Sequence, residues 1–472
     1  MKKSITIFLL ILFSFFCFLR QSFAQFTKLY DFNKLNGEEP DGSLITDGTY
    51  FYGMTHKGGT NQVGITFKIK PDGSGFIKLM DFKDNNGSNP FGSLFFDGTF
   101  LYGTPEEGGT SSFGGNSYYG NVFKIKPDGT SYSQLFDFNG TNGAYPECTL
   151  ISDGTYLYGT TNAGGTYSRG NIFKIKKDGT GFSSIYEFFY NFSNPNFNGS
   201  QPENSLLLVN DYLFGTTWAG GTFGYGVIFK IKTDGTNFTK VYDFNKPTGS
   251  GPQCALISDS TYLYGTTVQG GTNNDGVVFK IKLDGTEYQT LYNFSGVDGI
   301  EPLGSLIFNN GFLYGMTEQG GVNDWGTIYK IKTDGTQFKT VYDLQVTDGC
   351  CPIGSLIPFG GFLYGMTNRG GAFGNGTIFK LDTTSATTNQ IDNSISLYPN
   401  PTSGTFTLSY NSQTPILNSQ LKIYDVLGQE VYTQGITNLN QTTINISQLS
   451  NGVYFYQLTN NTETYRGKFV KE

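Results

Sequence analysis

One histidine, His56, is the only imidazole in 472 residues. A serine-hydrolase triad would have to commit it, yet it sits where other copies of the same repeat carry unrelated residues, so an ordinary polar surface role is the alternative. No His/Cys cluster has zinc spacing. Asp84-Asn85-Asn86-Gly87 has the composition of a calcium loop without the EF-hand pattern. Glycosidase chemistry needs two carboxylates. Glu106, Glu107 and Glu318 are the available one-off acids, and nothing marks them as a pair. Asp31, Asp81, Asp137, Asp243 and Asp343 recur at one repeat position, which reads as structural.

Recognition is better provided for than catalysis. In each copy two positions vary inside a frame of Gly-x-Thr before and Gly-Gly after: His56-Lys57, Glu106-Glu107, Asn162-Ala163, Trp218-Ala219, Val268-Gln269, Glu318-Gln319 and Asn368-Arg369. Trp218, Trp325, Tyr118, Tyr119 and Tyr225 fall in the same loops. An exposed aromatic beside amides and carboxylates suits a sugar, with the apolar face stacked and the hydroxyls hydrogen-bonded. The alternative is that these rings cap their own loops. The candidate ligand-binding set is His56, Lys57, Glu106, Glu107, Asn162, Trp218, Gln269, Glu318, Trp325, Asn368 and Arg369. No catalytic residue, metal or cofactor is assigned.

The elements that must position these loops repeat about every fifty residues. Segments of Phe-Lys-Ile-Lys type begin at Phe67, Phe123, Phe173, Phe229, Phe279, Tyr329 and Phe379, in steps of 56, 50, 56, 50, 50 and 50. Such a period means a solenoid, propeller or array. Within a copy, four short runs rich in β-branched and aromatic residues alternate with turn residues, the signature of four strands. An Asp-Gly pair such as Asp234-Gly235 joins the third run to the fourth, predicting a two-residue hairpin with positive φ at both positions. The Lys-x-Lys of the third run predicts outer-rim lysines kept in water. The phase fixes the architecture. After Gly376–Asp382 no fourth strand follows, whereas Phe26–Asn33 is a fourth strand with no third before it. Pairing the two leaves no bare edge and closes a seven-bladed β-propeller. Both six-residue insertions fall in the long loops after the second and fourth strands, where binding on a rigid scaffold usually resides. The unit LYGTT-x-x-GGT, GTIFKI, DGT, YDF, G-x-x-P, SLI resembles the GloVer tandem repeat over residues 26–382. That resemblance implies surface location and architecture, not an activity.

Residues 1–24 read as a secretory signal: Lys2-Lys3, an apolar run from Ile5 to Leu19, then Ser22-Phe23-Ala24. The run is too short for a typical membrane span, and no later stretch is apolar enough for one. A net charge of −7 argues against nucleic acid. With 65 glycines and 16 % aromatics, the composition suits an all-β protein with many turns. Cys148 and Cys254 occupy one repeat position two copies apart, too far to bridge; small-residue packing is the reading. The neighbouring pair Cys350-Cys351 allows a vicinal disulfide in an oxidising compartment.

A polar linker, residues 383–393, leads to residues 394–472, whose short strands predict a small Ig-like β-sandwich. Tyr398-Pro399-Asn400-Pro401-Thr402, Ile423-Tyr424-Asp425 with Gly428, Leu449-Ser450-Asn451-Gly452-Val453-Tyr454 and Lys468-Phe469-Val470-Lys471 resemble the type IX secretion system C-terminal sorting domain. The resemblance implies handling by that machinery through residues 394–472, removal of the domain, and an extracellular or cell-surface propeller. A glycan-binding sandwich is the alternative for this domain. The expectation is a monomeric, surface-displayed binding or adhesion module for glycan or protein. The alternatives are an extracellular polysaccharide-acting enzyme and a purely architectural protein.

Overall fold

The computed structural model describes residues 25–110, 119–189, 198–383, 395–398, 402–410, 419–425, 429–436, 441–459 and 464–472. The expected leader (1–24), most of the linker, Tyr118 and much of both insertions lie outside the described residues. The chain divides into two compact units, Met1–Ala386 and Thr387–Glu472.

The first unit contains seven four-stranded antiparallel sheets. In six of them the strands follow chain order, as in Ile257–Ser258, Tyr262–Thr267, Val277–Lys282 and Gln289–Asn293. The other joins Ile357–Phe359, Phe362–Thr367 and Thr377–Asp382 to Gln25–Asp31 from the N-terminus. There Phe26 lies opposite Leu381 and Asp31 opposite Thr377, the pairing that the repeat phase requires. Phe26 stacks on Tyr342 of the preceding sheet at 4.5 Å and on Phe379 of its own at 4.9 Å.

Second and third strands are buried along nearly their whole length because both faces of each sheet meet a neighbour. One core cluster joins Tyr264 and Val278 to Leu306, Leu313 and Tyr329 of the following sheet. Another joins Tyr364, Met366 and Ile378 to Phe51, Ile65 and Phe67, so the last sheet packs on the first. Burying a side chain of this size contributes about 1.5–3 kcal/mol. Between third and fourth strands the register slips once per sheet at the same place, for example at Val278/Phe279. Such a bulge increases local twist.

Two sequence expectations need correction. At the Asp-Gly turns only the glycine has positive φ, 90° at Gly235; Asp234 does not. Asp234 Oδ1 instead accepts the Thr236 N–H at 2.8 Å, and Gly235 N–H donates to Lys232 O. The result is a longer turn with a left-handed glycine, not a two-residue hairpin. The first strands span only two or three residues, because the Gly-Ser segments before them bond to the neighbouring repeat. Nor is the first lysine of Lys-x-Lys a solvated rim charge. Lys68, Lys124 and Lys280 donate to carbonyls of the next repeat's turn (Pro127, Lys177 and Thr333) at 3.0–3.1 Å. Each ammonium also lies 4.9–5.0 Å over an aromatic ring, of Tyr50, Phe100 or Tyr262.

The second unit, by itself, is two facing sheets. One orders Ile395–Tyr398, Thr405–Tyr410 and Gln441–Asn445; the other orders Glu430–Ile436, Ser419–Tyr424, Gly452–Thr459 and Thr464–Lys471. Phe406, Leu408 and Ile444 from the first meet Leu421, Ile423, Leu458 and Phe469 from the second.

Candidate functional site

Near the start of each first strand the seven sheets approach closely. A Cβ on Gly42 would stand 2.6 Å from Gly92 O, and one on Gly354 2.4 Å from Gly42 O, so these two copies require glycine. The next residue carries a hydroxyl in most copies and links neighbours: Ser43 N–H to Ser93 Oγ, Ser93 N–H to Thr149 Oγ1, Thr149 N–H to Ser205 Oγ. Further on, Ala255 donates to Ser305, Ser305 to Ser355, and Ser355 back to Ser43 at 2.7 Å. Ala255 has no hydroxyl to continue the relay from Ser205. These segments enclose a cavity of about 290 Å³ lined by all seven repeats. It adjoins a second space of about 370 Å³ that shares Asp41, Phe91, Glu147, Glu203, Gln253 and Ile353 with it and adds Glu39, His56, Glu106, Glu318, Asn368 and Arg369.

Two loop positions supply most of that mouth, with Glu39 and Arg369 beside them. One is the first member of the variable pair. The other follows the proline present in every copy: Asp41, Phe91, Glu147, Glu203, Gln253, Leu303 and Ile353. The residue before that proline has positive φ in all seven copies, 54–59° at Glu39, Asn89, Tyr145, Gln201, Gly251, Glu301 and Cys351, though only one is glycine. The left-handed region costs a non-glycine residue about 1–2 kcal/mol. It is held from both sides. Gln201 N–H donates to Arg169 O of the preceding repeat, and its carbonyl accepts the Trp218 N–H of its own. Glu301 is held in the same way by Asp275 and Glu318, and Cys351 by Trp325 and Asn368.

The frame residues are structural. Thr161, Thr217 and Thr267 donate to the carbonyl two residues on at 2.8–3.0 Å. The second copy departs from the frame with Pro105 in place of this threonine. Asn121, whose counterpart Asn171 bonds Thr161, is left fully buried with both amide atoms unpaired. The recurrent aspartates cap the Gly-Gly loop: Asp81, Asp243, Asp343 and Asp31 accept the N–H groups of Thr60, Thr222, Val322 and Ala372. Asp84–Asn86 is a 3-10 turn, and among the described residues no group of three His, Cys, Asp or Glu is arranged to hold a metal.

The mouth is acidic, and several of its carboxyls are buried. Burial, with Glu39 and Glu106 adding repulsion, pushes the Asp41 carboxyl up to about 8 against the lowering hydrogen bond from Asn368. Burial and then Glu106 and Glu203 push Glu147 up to about 8, although the Asn162 amide donates to it at 2.7 Å. Glu106 rises to about 7 through burial, then Glu107 and Glu203. Burial also raises Glu203, which takes a bond from Gln253, and Glu318, which faces Glu301. Burial lowers His56, whose Nδ1 is 3.5 Å from Asp41 Oδ2, too long for a good hydrogen bond. Perturbed carboxyls gathered in a concavity mark a functional-site candidate.

Of the sequence candidates, His56, Glu106, Glu318, Asn368 and Arg369 line this mouth, and Asn162 reaches it through Glu147. Lys57 turns to Glu39 at 2.8 Å. Glu107 and Gln269 are exposed and do not line it. Trp325 is 42 % exposed. Trp218 is half-buried against the next repeat: a Cβ on Gly251 would be 2.4 Å from its ring, which explains the single glycine among the seven pre-proline positions. Tyr119 and Tyr225 are half-buried. Sequence reasoning missed Asp41, Glu147, Glu203 and Gln253. Their signal was available, because the position after the proline varies as freely as the pairs do.

The family described as the Gloeobacter/Verrucomicrobia repeat matches residues 18–114, 109–260, 182–321 and 255–411. The secretion system C-terminal sorting domain matches residues 396–472. No curated protein matches this sequence. Among solved structures, the chain is similar to the extracellular domain of a putative hybrid two-component system from B. thetaiotaomicron, at 13 % identity and TM-score 0.48, covering 95 % of this chain and 57 % of that one. It is also similar to an ancestral GH74 enzyme at 13 % identity and TM-score 0.46, covering 76 % and 51 %. A Trypanosoma rangeli sialidase mutant displaying trans-sialidase activity matches at 9 % identity and TM-score 0.41, covering 94 % and 88 %. The chain thus spans less than two thirds of the first two of these proteins.

Proposed function

Because the chain belongs to the Gloeobacter/Verrucomicrobia repeat family and ends in a type IX sorting domain, which implies secretion and an extracellular or surface location, we propose that it is a secreted binding protein. In this reading the seven sheets are the blades of a closed propeller, and the ligand sits at the carboxylate-lined mouth of its axial cavity. One observation carries the reading: the positions that vary between otherwise uniform repeats supply the side chains of a single concavity. The frame around them does only structural work.

The ligand class that fits is a glycan. Asp41, Glu106 and Glu147 have pKa values near neutrality, so at pH 7 they both donate and accept hydrogen bonds to hydroxyls. Trp325, on the same loop as Glu318, offers a partly exposed ring for stacking. A protein ligand is the other occupant of the same face. A second reading, an enzyme acting on polysaccharide, is favoured by the raised carboxyls, since a general acid needs a pKa held near the working pH.

A glycan array with the purified protein tests the proposal, with Glu106→Gln and Trp325→Ala as controls. Binding that both variants weaken supports it. Binding that neither variant changes places the ligand elsewhere. Release of shorter oligosaccharides from a polysaccharide panel, abolished by Glu106→Gln or Glu147→Gln, would replace binding with catalysis. Neither binding nor release would leave the architectural role.

A further inference from the structure

We propose that Cys350 and Cys351 form a vicinal disulfide in the secreted protein, an oxidative modification site built into the rim of the mouth. The two positions are Glu38-Glu39, Ser88-Asn89, Ala144-Tyr145, Ser200-Gln201, Ser250-Gly251 and Ile300-Glu301 in the other repeats, so the scaffold does not require sulfur there. Both thiols are free and buried, 3 % and 9 % exposed. A single peptide link holds them together, so no folding step is needed to bring them into reach.

Their place gives the bond a consequence. Cys350 N–H donates to Arg369 O at 2.7 Å, Cys351 N–H to Trp325 O at 3.1 Å, and Asn368 N–H to Cys351 O at 3.3 Å. The pair therefore fixes Asn368 and Arg369, which line the mouth, and the end of the Trp325 loop. Cys351 already holds the left-handed conformation at φ 59°.

The chemistry closes with a disulfide-bearing oxidant, either a dithiol oxidase or a small oxidised disulfide. The S–H of Cys351 and the charge of Arg369 favour the thiolate of Cys350. That thiolate attacks one oxidant sulfur and expels the other as a thiolate. Cys351 gives its proton to water and attacks the mixed disulfide at Cys350. That attack breaks the mixed disulfide and expels the oxidant's remaining sulfur as a thiolate; the two cysteines lose two protons and two electrons, and the oxidant leaves as a dithiol, or as two thiols where it is a small disulfide. Adjacent Cα atoms are about 3.8 Å apart, below the usual disulfide span of about 4.4–6.8 Å. The bond is therefore strained and easily reduced, the class associated with labile or regulatory disulfides.

The inference rests on secretion, since thiols stay reduced in most cytosols. The protein recovered outside the cell is denatured without reductant in maleimide, then reduced and labelled with iodoacetamide, and its peptides are mapped. The second label is expected on Cys350 and Cys351, and the first on Cys148 and Cys254, which are buried and accept the N–H groups of Thr160 and Thr266. In a Cys350→Ser variant, Cys351 should take the first label. Maleimide on both Cys350 and Cys351 in the secreted chain, or a bridge from either to another cysteine, would overturn the proposal. The same chain made in a reducing cytosol and exposed to oxidised glutathione should pair internally. A stable glutathione adduct there would overturn the chemistry independently of whether the chain is secreted.

Discussion

Replacing Glu147 with glutamine should stabilise the protein, and increasingly so as pH rises. The amide keeps an oxygen for the Asn162 donor but cannot ionise. In the folded chain the Glu147 carboxyl titrates near 8, against an ordinary value of 4.5, with burial as the main cause. The folded state therefore binds the proton more tightly than the unfolded state. Below pH 4.5 the group is protonated in both states and has no effect on pH dependence. Between 4.5 and 8 the unfolded chain releases the proton and the folded chain keeps it, so stability falls as pH rises; above 8 the loss is complete. At about 1.36 kcal/mol per unit, the wild type should lose on the order of 3–4 kcal/mol between pH 5 and pH 8 through this group. The Gln variant should not. For a unit of about 360 residues, an unfolding entropy of about 2.1 cal/mol/K per residue turns this into a Tm gap widening by about 5 °C. Urea titration and calorimetry of both proteins at pH 5 and 8 measure it. Asp41 and Glu106 titrate in the same field, so their substitutions should not add simply to this one. Parallel stability curves for variant and wild type across that range would show that Glu147 is not buried among carboxylates, and the mouth described above would be wrong.

Phe26→Ala removes the stacks on Tyr342 and Phe379 and should cost about 2–4 kcal/mol in denaturant unfolding, while deleting Gln25–Asp31 should expose the Thr377–Asp382 edge and give aggregation by light scattering. Gly251→Ala forces a Cβ into the Trp218 ring at a left-handed position and should destabilise by about 1–3 kcal/mol; a double-mutant cycle with Trp218→Ala should recover the steric part, and strict additivity would refute the contact. A chain ending at Asn393 should remain cell-associated in fractionation, and its export at the normal level would remove the sorting role from residues 396–472.

Much of the scaffold is written along the chain. Strand alternation, turn residues and period are local properties, so four strands per repeat could be read from one copy. The partnership of Gln25–Asp31 with Thr377–Asp382 followed from counting, because one copy lacked the strand that the N-terminus had to spare. The structural aspartates were recognisable because they recur. The variable loop pairs were legible for the opposite reason, and His56, Glu106, Glu318, Asn368 and Arg369 do meet at one mouth.

What tertiary structure alone decided is which residues separated by fifty or more positions face one another. Asp41, Glu147 and Glu203 become a buried acidic group only because the sheets approach at the Gly-Ser segments, and no local pattern encodes that distance. The same holds for the lysines of Lys-x-Lys, whose charge meets a carbonyl one repeat away. Trp218 shows the difference within a single side chain. Its loop position suggested a partly exposed stacking platform, and the next repeat, with a glycine at residue 251, supplies a surface against which it is half-buried. Backbone conformation before each proline was equally hidden: isolated X-Pro sequences favour extended geometry, and only hydrogen bonds from two repeats at once hold these seven residues in the left-handed region.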